Sequence, residues 1–98
     1  MGLKEVFVGV EVRLPTVLRH YTGGEAAVRG EGDTVGAVLE NLSVRFPGIR
    51  DQIVSEEGGI PRFVNVYLND EDIRYLESLD TPTSEGDVIS ILPAVSGG

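Results

Sequence analysis

The pattern of apolar and polar residues in the first third of the chain has the period of two β-strands. Apolar side chains occupy every second position over residues 6–14, as in a strand with one buried face. Residues 15–24 predict a long turn, because they begin with a proline, which cannot donate to a sheet ladder, and end with two flexible glycines. Residues 25–29 then predict a short returning strand, with Ala26 and Val28 facing inward.

The spacing of apolar residues becomes helical in the second third. Asp33-Thr34 supplies an oxygen that can cap the exposed backbone amides of a helix start. The apolar residues that follow at the spacing of one helix face are Val35, Val38, Leu39, Leu42 and Phe46. Pro47-Gly48 ends this helix of about three turns, because proline lacks the amide and clashes with the preceding turn. Residues 49–54 predict one further helical turn.

The strand period returns in the last third. Residues 63–68 alternate again and predict a strand, residues 69–72 are a turn by composition, and residues 73–76 predict a short strand. After a connection over residues 79–85, residues 88–92 predict the last strand. The residues of these strands that we expect to face the core are Val64, Val66, Leu68, Ile89 and Ile91.

The order of these elements predicts a two-layer α+β domain in which one main helix covers one face of one sheet. Placing the first and last strands side by side in the middle of a mixed sheet of four to five strands gives the β-grasp, or ubiquitin-like, arrangement. A ferredoxin-like fold fits less well, since it needs two helices. We expect residues 1–93 to form this domain and residues 94–98 to form a flexible C-terminal tail.

Composition narrows the function. Ninety-eight residues suit one domain, and 16 acidic against 8 basic residues give a net charge of −8. An anionic surface repels nucleic acid and anionic lipid and favours a protein partner with a basic face. The absence of cysteine excludes disulfides, thiolate metal sites and a thiol nucleophile. With neither a charged leader before an apolar run nor a membrane-length segment, we expect a cytoplasmic protein.

Few side chains suggest catalysis or metal binding. His20 is the one histidine and lies in the predicted turn, where a surface role is the simplest interpretation. Residues 70–72 are all acidic, but the spaced ligand loop of a calcium site is absent, so a solvated turn is favoured and no metal is expected. The notable chemistry is at the end of the chain, where a predicted strand is followed closely by Gly97-Gly98.

The last residues resemble the end of the ubiquitin-like sulfur carriers of the MoaD/ThiS family. The shared features are Gly86-Asp87, an apolar strand, Pro93, and the ending Val95-Ser96-Gly97-Gly98. Further stretches at residues 14–24, 32–38 and 62–72 extend the resemblance over most of the chain and are most similar to the actinobacterial branch that serves cysteine synthesis.

This resemblance implies a carrier that is not itself an enzyme and that binds no cofactor. An E1-like partner would use ATP and a sulfur donor to adenylate the Gly98 carboxylate and convert it to a thiocarboxylate. A second enzyme would then take the sulfide. In the cysteine branch that enzyme is a pyridoxal-phosphate-dependent synthase, and a metalloprotease releases the product; molybdopterin, thiazole and thiosugar routes remain open.

The physical chemistry of the ending agrees with this implication. Two residues without a Cβ can enter a narrow channel and leave the carbonyl open to attack, so Gly97 and Gly98 form the candidate reactive end. The residues expected to present them are Pro93, Ala94, Val95 and Ser96. Ordering such a tail costs roughly 1–2 kcal/mol per residue, so the folded domain must also dock on the partner. The outward apolar residues that we expect to form the docking patch are Phe7, Phe63, Tyr67 and Leu92.

Two other functions remain open from the residues alone. The same activated carboxyl group serves a ubiquitin-like modifier that is joined through Gly98 to lysines of target proteins. The chain is also consistent with a β-grasp binding module whose ending is inert. Removing Gly97 and Gly98 would leave the function of such a module unchanged.

Overall fold

A five-stranded mixed sheet forms one layer of the protein in the computed structural model, which describes residues 9–94. The strands are β1 (Val10–Arg13), β2 (Ala27–Gly30), β3 (Val64–Leu68), β4 (Glu71–Asp72) and β5 (Val88–Pro93). Their order across the sheet is β2-β1-β5-β3-β4, and β1 and β5 run parallel in its centre while the other pairs are antiparallel. This is the arrangement that the sequence predicts, with the first and last strands as neighbours.

Two helices form the second layer. Helix α1 (Val35–Arg45) begins as predicted, because the Thr34 side chain accepts a hydrogen bond from the Ala37 amide at 3.1 Å. Pro47 ends α1 and starts a 3₁₀ turn, Pro47–Ile49, that leads into the single turn of α2 (Arg50–Ile53). The further helical turn predicted after Pro47 is therefore confirmed.

The core lies between these helices and one face of the sheet. It contains most of the predicted inward residues of the helix and of the strands within the described range, among them Val10, Val12, Val38, Leu39, Leu42, Val64, Val66, Ile89 and Ile91. Each of these side chains is at most 4% exposed. On the opposite face of the sheet Glu11, Arg13 and Leu92 are exposed.

The segment expected to be a turn after β1 is instead a 3₁₀ helix, Thr16–Thr22. Leu18 is buried in the core and fixes the segment against the sheet. The Thr22 hydroxyl lies 3.0 Å from the Arg19 carbonyl oxygen and donates to it, which stabilises the last turn. Gly23 then ends the helix in the left-handed conformation (φ 72°), which glycine adopts without strain.

The structure corrects the hairpin after β3. Asn69 and Asp70 alone form the turn, with φ of 51° and 76°, since both residue types tolerate the left-handed region. The strand therefore resumes at Glu71–Asp72, and the strand predicted over residues 73–76 is wrong. Those residues form a 3₁₀ helix, Ile73–Tyr75, which the Asp72 carboxylate caps by accepting from the Arg74 amide at 2.9 Å.

The inward face predicted for the second strand is half right. Val28 packs against the core, but Ala26 lies before the first residue of β2 and is exposed. The strand makes its closest approach to α1 at its other end, where a Cβ on Gly30 would lie 2.8 Å from a methyl group of Val38. The helix therefore covers the end of β2 and not the residues before it.

Candidate functional site

The last strand holds its end firmly in the centre of the sheet. β5 lies between β1 and β3, and it pairs with β1 over residues 88–90 and with β3 over residues 89–93. The side chains of Ile89 and Ile91 anchor the strand in the core, where they are 0% and 1% exposed. Whatever follows β5 in the chain is therefore attached to the most constrained strand of the sheet.

The anchored part extends further along the chain than the sequence predicts. The predicted strand ends at Leu92, but β5 includes Pro93, which lies opposite Val64. The Ala94 amide then donates to the Phe63 carbonyl oxygen at 2.9 Å. Pro93 is thus part of the ladder, and Ala94 is still tied to the chain just before β3.

A proline fits in this central strand because of the direction that its nitrogen faces. In β5 the odd-numbered positions face β1, as shown by the Asp87 carbonyl oxygen, which accepts from the Glu11 amide at 3.0 Å. β1 ends at Arg13, before it reaches the level of Pro93. The missing amide therefore removes no ladder hydrogen bond.

A groove of about 670 Å³ runs beside this end of β5, and we call it the tail-root groove. Its wall residues come from β5, from β3 and its turn, and from the end of β1 and the segment after it: Arg13, Leu14, Pro15, Thr16, Val17, Arg19, Tyr67, Asp70, Ser90, Ile91, Leu92 and Pro93. Val17 and Leu92 are 66% and 46% exposed, so the groove offers apolar surface to a partner.

Two arginines line the tail-root groove, together with one carboxylate, that of Asp70. The Arg13 guanidinium donates to the Glu11 carboxylate at 2.7 Å, and this contact raises the pKa of Arg13 above its usual range. Arg19 donates to the Leu14 carbonyl oxygen at 3.0 Å, which holds its side chain along the start of the 3₁₀ helix.

The predicted docking residues fall into three groups. Tyr67 and Leu92 line the tail-root groove together. Phe63 is 54% exposed and precedes β3, where its carbonyl oxygen binds the Ala94 amide. Phe7 lies outside the described residues, as do four predicted tail residues, Val95, Ser96, Gly97 and Gly98.

Sequence reasoning missed the contribution of the segment after β1. Val17 and Arg19 complete the groove, but a segment taken for a turn gives no reason to assign them a surface. The sequence signal that could have indicated an exposed apolar residue here is the pair Val17-Leu18. Two adjacent apolar residues in a helical turn face different directions, so one is buried and the other exposed.

Of the other side chains considered from sequence, Asp70 lines this groove and His20 does not. His20 is exposed and packs on Tyr21, with ring centroids 4.1 Å apart. Within residues 9–94 there is no group of three or more histidine or carboxylate side chains arranged to hold a metal ion. In the same range no helix combines the length and the hydropathy needed to cross a membrane.

The parallel pair of first and last strands, with a helix packed across one face, places the protein in the ubiquitin-like β-grasp class. The comparison with protein families is more specific, since the model described as "ThiS family" matches residues 12–98. The chain belongs to the ThiS family of ubiquitin-like sulfur carriers, as the resemblance of its last residues indicated.

Individual relatives agree with this assignment. The chain is 45% identical to the sulfur carrier protein CysO of Mycobacterium tuberculosis (strain ATCC 25618 / H37Rv) over 93 residues, which cover 93% of this chain and all of that protein. The structure matches the crystal structure of the Amycolatopsis orientalis BexX/CysO complex with a TM-score of 0.83 and 45% identity, covering 91% of this chain and 99% of the matched chain. The β-grasp prediction is confirmed.

A third relative is named as a modifier. The chain is 31% identical over 91 residues to small archaeal modifier protein 3 of Haloferax volcanii, covering 91% of this chain and 98% of that protein. These relatives are carriers or modifiers by name, in agreement with the expectation that this chain is a carrier and not an enzyme.

Proposed function

We propose that this protein carries sulfur as a thiocarboxylate on Gly98. The carboxylate attacks the α-phosphorus of ATP on an E1-like enzyme, and pyrophosphate leaves. A sulfur nucleophile supplied by the sulfur donor then attacks the acyl carbon, and AMP leaves. A second enzyme transfers the thiocarboxylate sulfur to its substrate, and attack of water on the acyl carbon then returns Gly98 to its carboxylate form.

The single observation that carries this proposal is the attachment of the diglycine ending to the central strand. Ala94 is the last described residue, and its amide still binds the Phe63 carbonyl oxygen at 2.9 Å. In this proposal the tail comprises residues 95–98, because the Ala94 amide is still bound to the chain just before β3. The four residues after Ala94 span about 13–14 Å when fully extended. A tail counted from the predicted end of the strand, Leu92, would have six residues and span roughly 20 Å.

The chemistry requires that activation come from a partner. An α-carboxyl group titrates near 3.3–3.7, so Gly98 is a carboxylate near neutral pH and a poor electrophile until its oxygen is made a leaving group. The chain contains no glycine-rich loop followed by Lys and Ser or Thr that would bind the ATP phosphates. ATP and the sulfur donor therefore belong to the activating enzyme.

The tail-root groove is the docking surface in this proposal. Val17 and Leu92 provide exposed apolar area next to the base of the tail, and Tyr67 adds an aromatic wall. Binding energy gained there offsets the roughly 1–2 kcal/mol per residue needed to order the tail in a channel of the partner. A partner segment with apolar and acidic side chains fits a groove with arginines on its wall.

Cysteine synthesis is the acceptor route that we favour. The support is the 45% identity to a protein named CysO and the match to a CysO chain solved in complex with BexX, which shows that such a chain assembles with a partner protein. On this route the acceptor is a pyridoxal-phosphate-dependent synthase and a metalloprotease releases the amino acid. Molybdopterin, thiazole and thiosugar acceptors are the alternatives.

Conjugation to other proteins is the second candidate, because the Haloferax volcanii relative is named as a modifier. The acyl adenylate is common to both functions, and only the attacking nucleophile differs. Lys4 is the one lysine of this chain, so chains of linked copies would need that residue. Adducts of higher mass that disappear when Gly98 is deleted would favour conjugation.

Pyrophosphate release tests the proposed activation. The chain is incubated with its cognate activating enzyme and ATP, and pyrophosphate is measured against a variant that lacks Gly97 and Gly98. We expect release with the intact chain alone. Equal release with both chains would show that the ending is not the activated group, and would favour the binding module with an inert tail.

A further inference from the structure

A second groove lies at the base of the tail on the β3 side of β5. It has a volume of about 500 Å³ and is formed by α2, the loop at residues 55–62, and Phe63. We call it the acidic groove. Phe63 connects the groove to the tail, because its carbonyl oxygen accepts from the Ala94 amide at 2.9 Å. A partner that holds the tail therefore has this groove within reach.

The acidic groove has apolar surface inside its rim. Val54 is 7% exposed and lies at the floor with Pro61, which is also buried. Ile60 is half-buried, and Phe63 is 54% exposed at the side nearest the tail. An aromatic ring this exposed at the edge of a concave surface is typical of a protein-binding site.

The charge of the rim is negative. Asp51, Glu56 and Glu57 line the groove, with Arg62 as the one opposing charge. The ion pairs within residues 9–94 are Arg13–Glu11, Arg50–Glu40 and Arg74–Asp72, so no rim carboxylate is neutralised by an internal pair there. The negative field of the rim therefore acts on what approaches from outside.

The loop that carries two of these carboxylates is ordered by its own hydrogen bonds. The Gly58 amide donates to the Ser55 carbonyl oxygen at 2.9 Å, and the Ser55 amide donates to the Gly59 carbonyl oxygen at 2.8 Å. The Ser55 hydroxyl also accepts from the Gly59 amide at 2.9 Å. Glu56 and Glu57 lie at the tip of this turn, so they meet a partner with little further loss of loop entropy.

We propose that the acidic groove binds a basic segment, carrying an apolar side chain, of one of the two enzymes that handle the tail. This rests on the function proposed above and adds a second docking surface of opposite charge to the tail-root groove. The chain's own ending is a poor occupant, because residues 95–98 have no cationic side chain and end in a carboxylate. A second copy is also disfavoured by a net charge of −8 on each chain.

The test compares two triple variants that lose the same charge. In the groove variant Asp51→Asn, Glu56→Gln and Glu57→Gln are combined. In the control variant Glu77→Gln, Asp80→Asn and Glu85→Gln are combined, which changes an exposed loop next to the start of α1. Binding of each to the cognate activating enzyme and to the cognate sulfur-accepting enzyme is measured at low and high salt, with thermal unfolding as a check of folding.

We expect the groove variant to bind one of the two enzymes about tenfold more weakly at low salt and to lose most of the salt dependence of that complex. Phe63→Ala should weaken the same complex while keeping its salt dependence, because it removes apolar area and no charge. The control variant should bind both enzymes within twofold of the unmodified chain, roughly the scatter expected for a change outside an interface.

The inference is overturned if the groove variant and the control variant bind both enzymes alike. The unmodified chain is tested in parallel for gain of sulfur from its activating enzyme. If the unmodified chain gains sulfur and the groove variant binds both enzymes as the control variant does, the acidic-groove inference is refuted and the proposed function is not. A chain that gains no sulfur refutes the proposed function, and the inference with it.

Discussion

At the scale of single residues, Asp72 stabilises the far edge of the sheet through its charge and its position. Its carboxylate accepts from the Arg74 amide at 2.9 Å and pairs with the Arg74 guanidinium, and these contacts lower the pKa of Asp72. The same guanidinium also donates to the Asn65 side chain on β3. One carboxylate therefore links β4, the 3₁₀ turn that follows it, and β3.

The lowered pKa predicts how stability depends on pH. A carboxylate with a lower pKa in the folded than in the unfolded state stabilises the fold above its unfolded pKa, about 3.9, and loses that contribution as the pH falls through the folded value. Asp72→Asn keeps a cap oxygen and removes the charge, so its deficit in unfolding free energy should be about 0.5–1 kcal/mol at pH 7 and should shrink below about pH 4. Urea unfolding at pH 7 and below about pH 4 measures this deficit in unfolding free energy. A deficit that does not change with pH would contradict this role.

Leu92 provides the residue-scale test of the tail-root groove. Leu92→Asp places a charge on apolar surface that is 46% exposed, so the fold should tolerate it while binding to the activating enzyme weakens about tenfold or more. Val44→Asp is the matched control, because Val44 is 78% exposed on α1, which packs on the other face of the sheet. Equal losses for the two variants, measured as dissociation constants, would exclude the groove as the docking surface.

At the scale of elements, the join between β2 and α1 depends on a glycine. A Cβ on Gly32 would lie 2.7 Å from backbone atoms of Ala37 and Val38, which cannot move without disturbing α1. Gly32→Ala should therefore lower the unfolding free energy by about 1–3 kcal/mol. Gly59→Ala is the control, since its nearest contact would be the Ser55 hydroxyl at 3.7 Å, and it should change stability by at most about 0.5 kcal/mol. Thermal or urea unfolding that gives the two variants the same stability would contradict this packing.

Sequence periodicity predicted the elements in which the buried residues all lie on one face. The alternation through Val64, Val66 and Leu68, and the helical spacing from Val35 to Leu42, both match buried positions in the structure. The 3₁₀ helices were not predicted, because a short helix with a single buried anchor such as Leu18 leaves no period to detect. The end of β5 was placed too early because proline usually ends a strand, and only the pairing partner shows which way its nitrogen faces.

At the scale of the whole molecule, the proposed function separates stability from chemistry. The core described within residues 9–94 includes Ile89 and Ile91 of β5, whereas the proposed reaction takes place at Gly98. Deleting Gly97 and Gly98 should leave the unfolding midpoint within about 1 °C of the intact chain, since a change of 1 kcal/mol shifts it by roughly 4–8 °C in a domain of this size. A larger drop, measured by thermal unfolding, would show that the ending packs on the domain.

The two grooves could be described only from the structure. Each combines residues from segments that are distant in sequence: Arg13 and Leu92 in the tail-root groove, and Asp51 and Phe63 in the acidic groove. The diglycine ending could be proposed as the reactive group from sequence alone because it is one contiguous signal. The fold adds the two grooves as the surfaces on which we propose that partners dock.

The most direct test of the proposed function is the mass of the intact chain after reaction. The chain is incubated with its cognate activating enzyme, ATP and a sulfur source, and fragment masses then locate any change along the sequence. We expect the mass increase that follows from replacing one oxygen by sulfur, located at Gly98 and absent when ATP is omitted. An unchanged mass, with an activating enzyme shown to be active on another carrier, would contradict the assignment of Gly98 as a sulfur-carrying end.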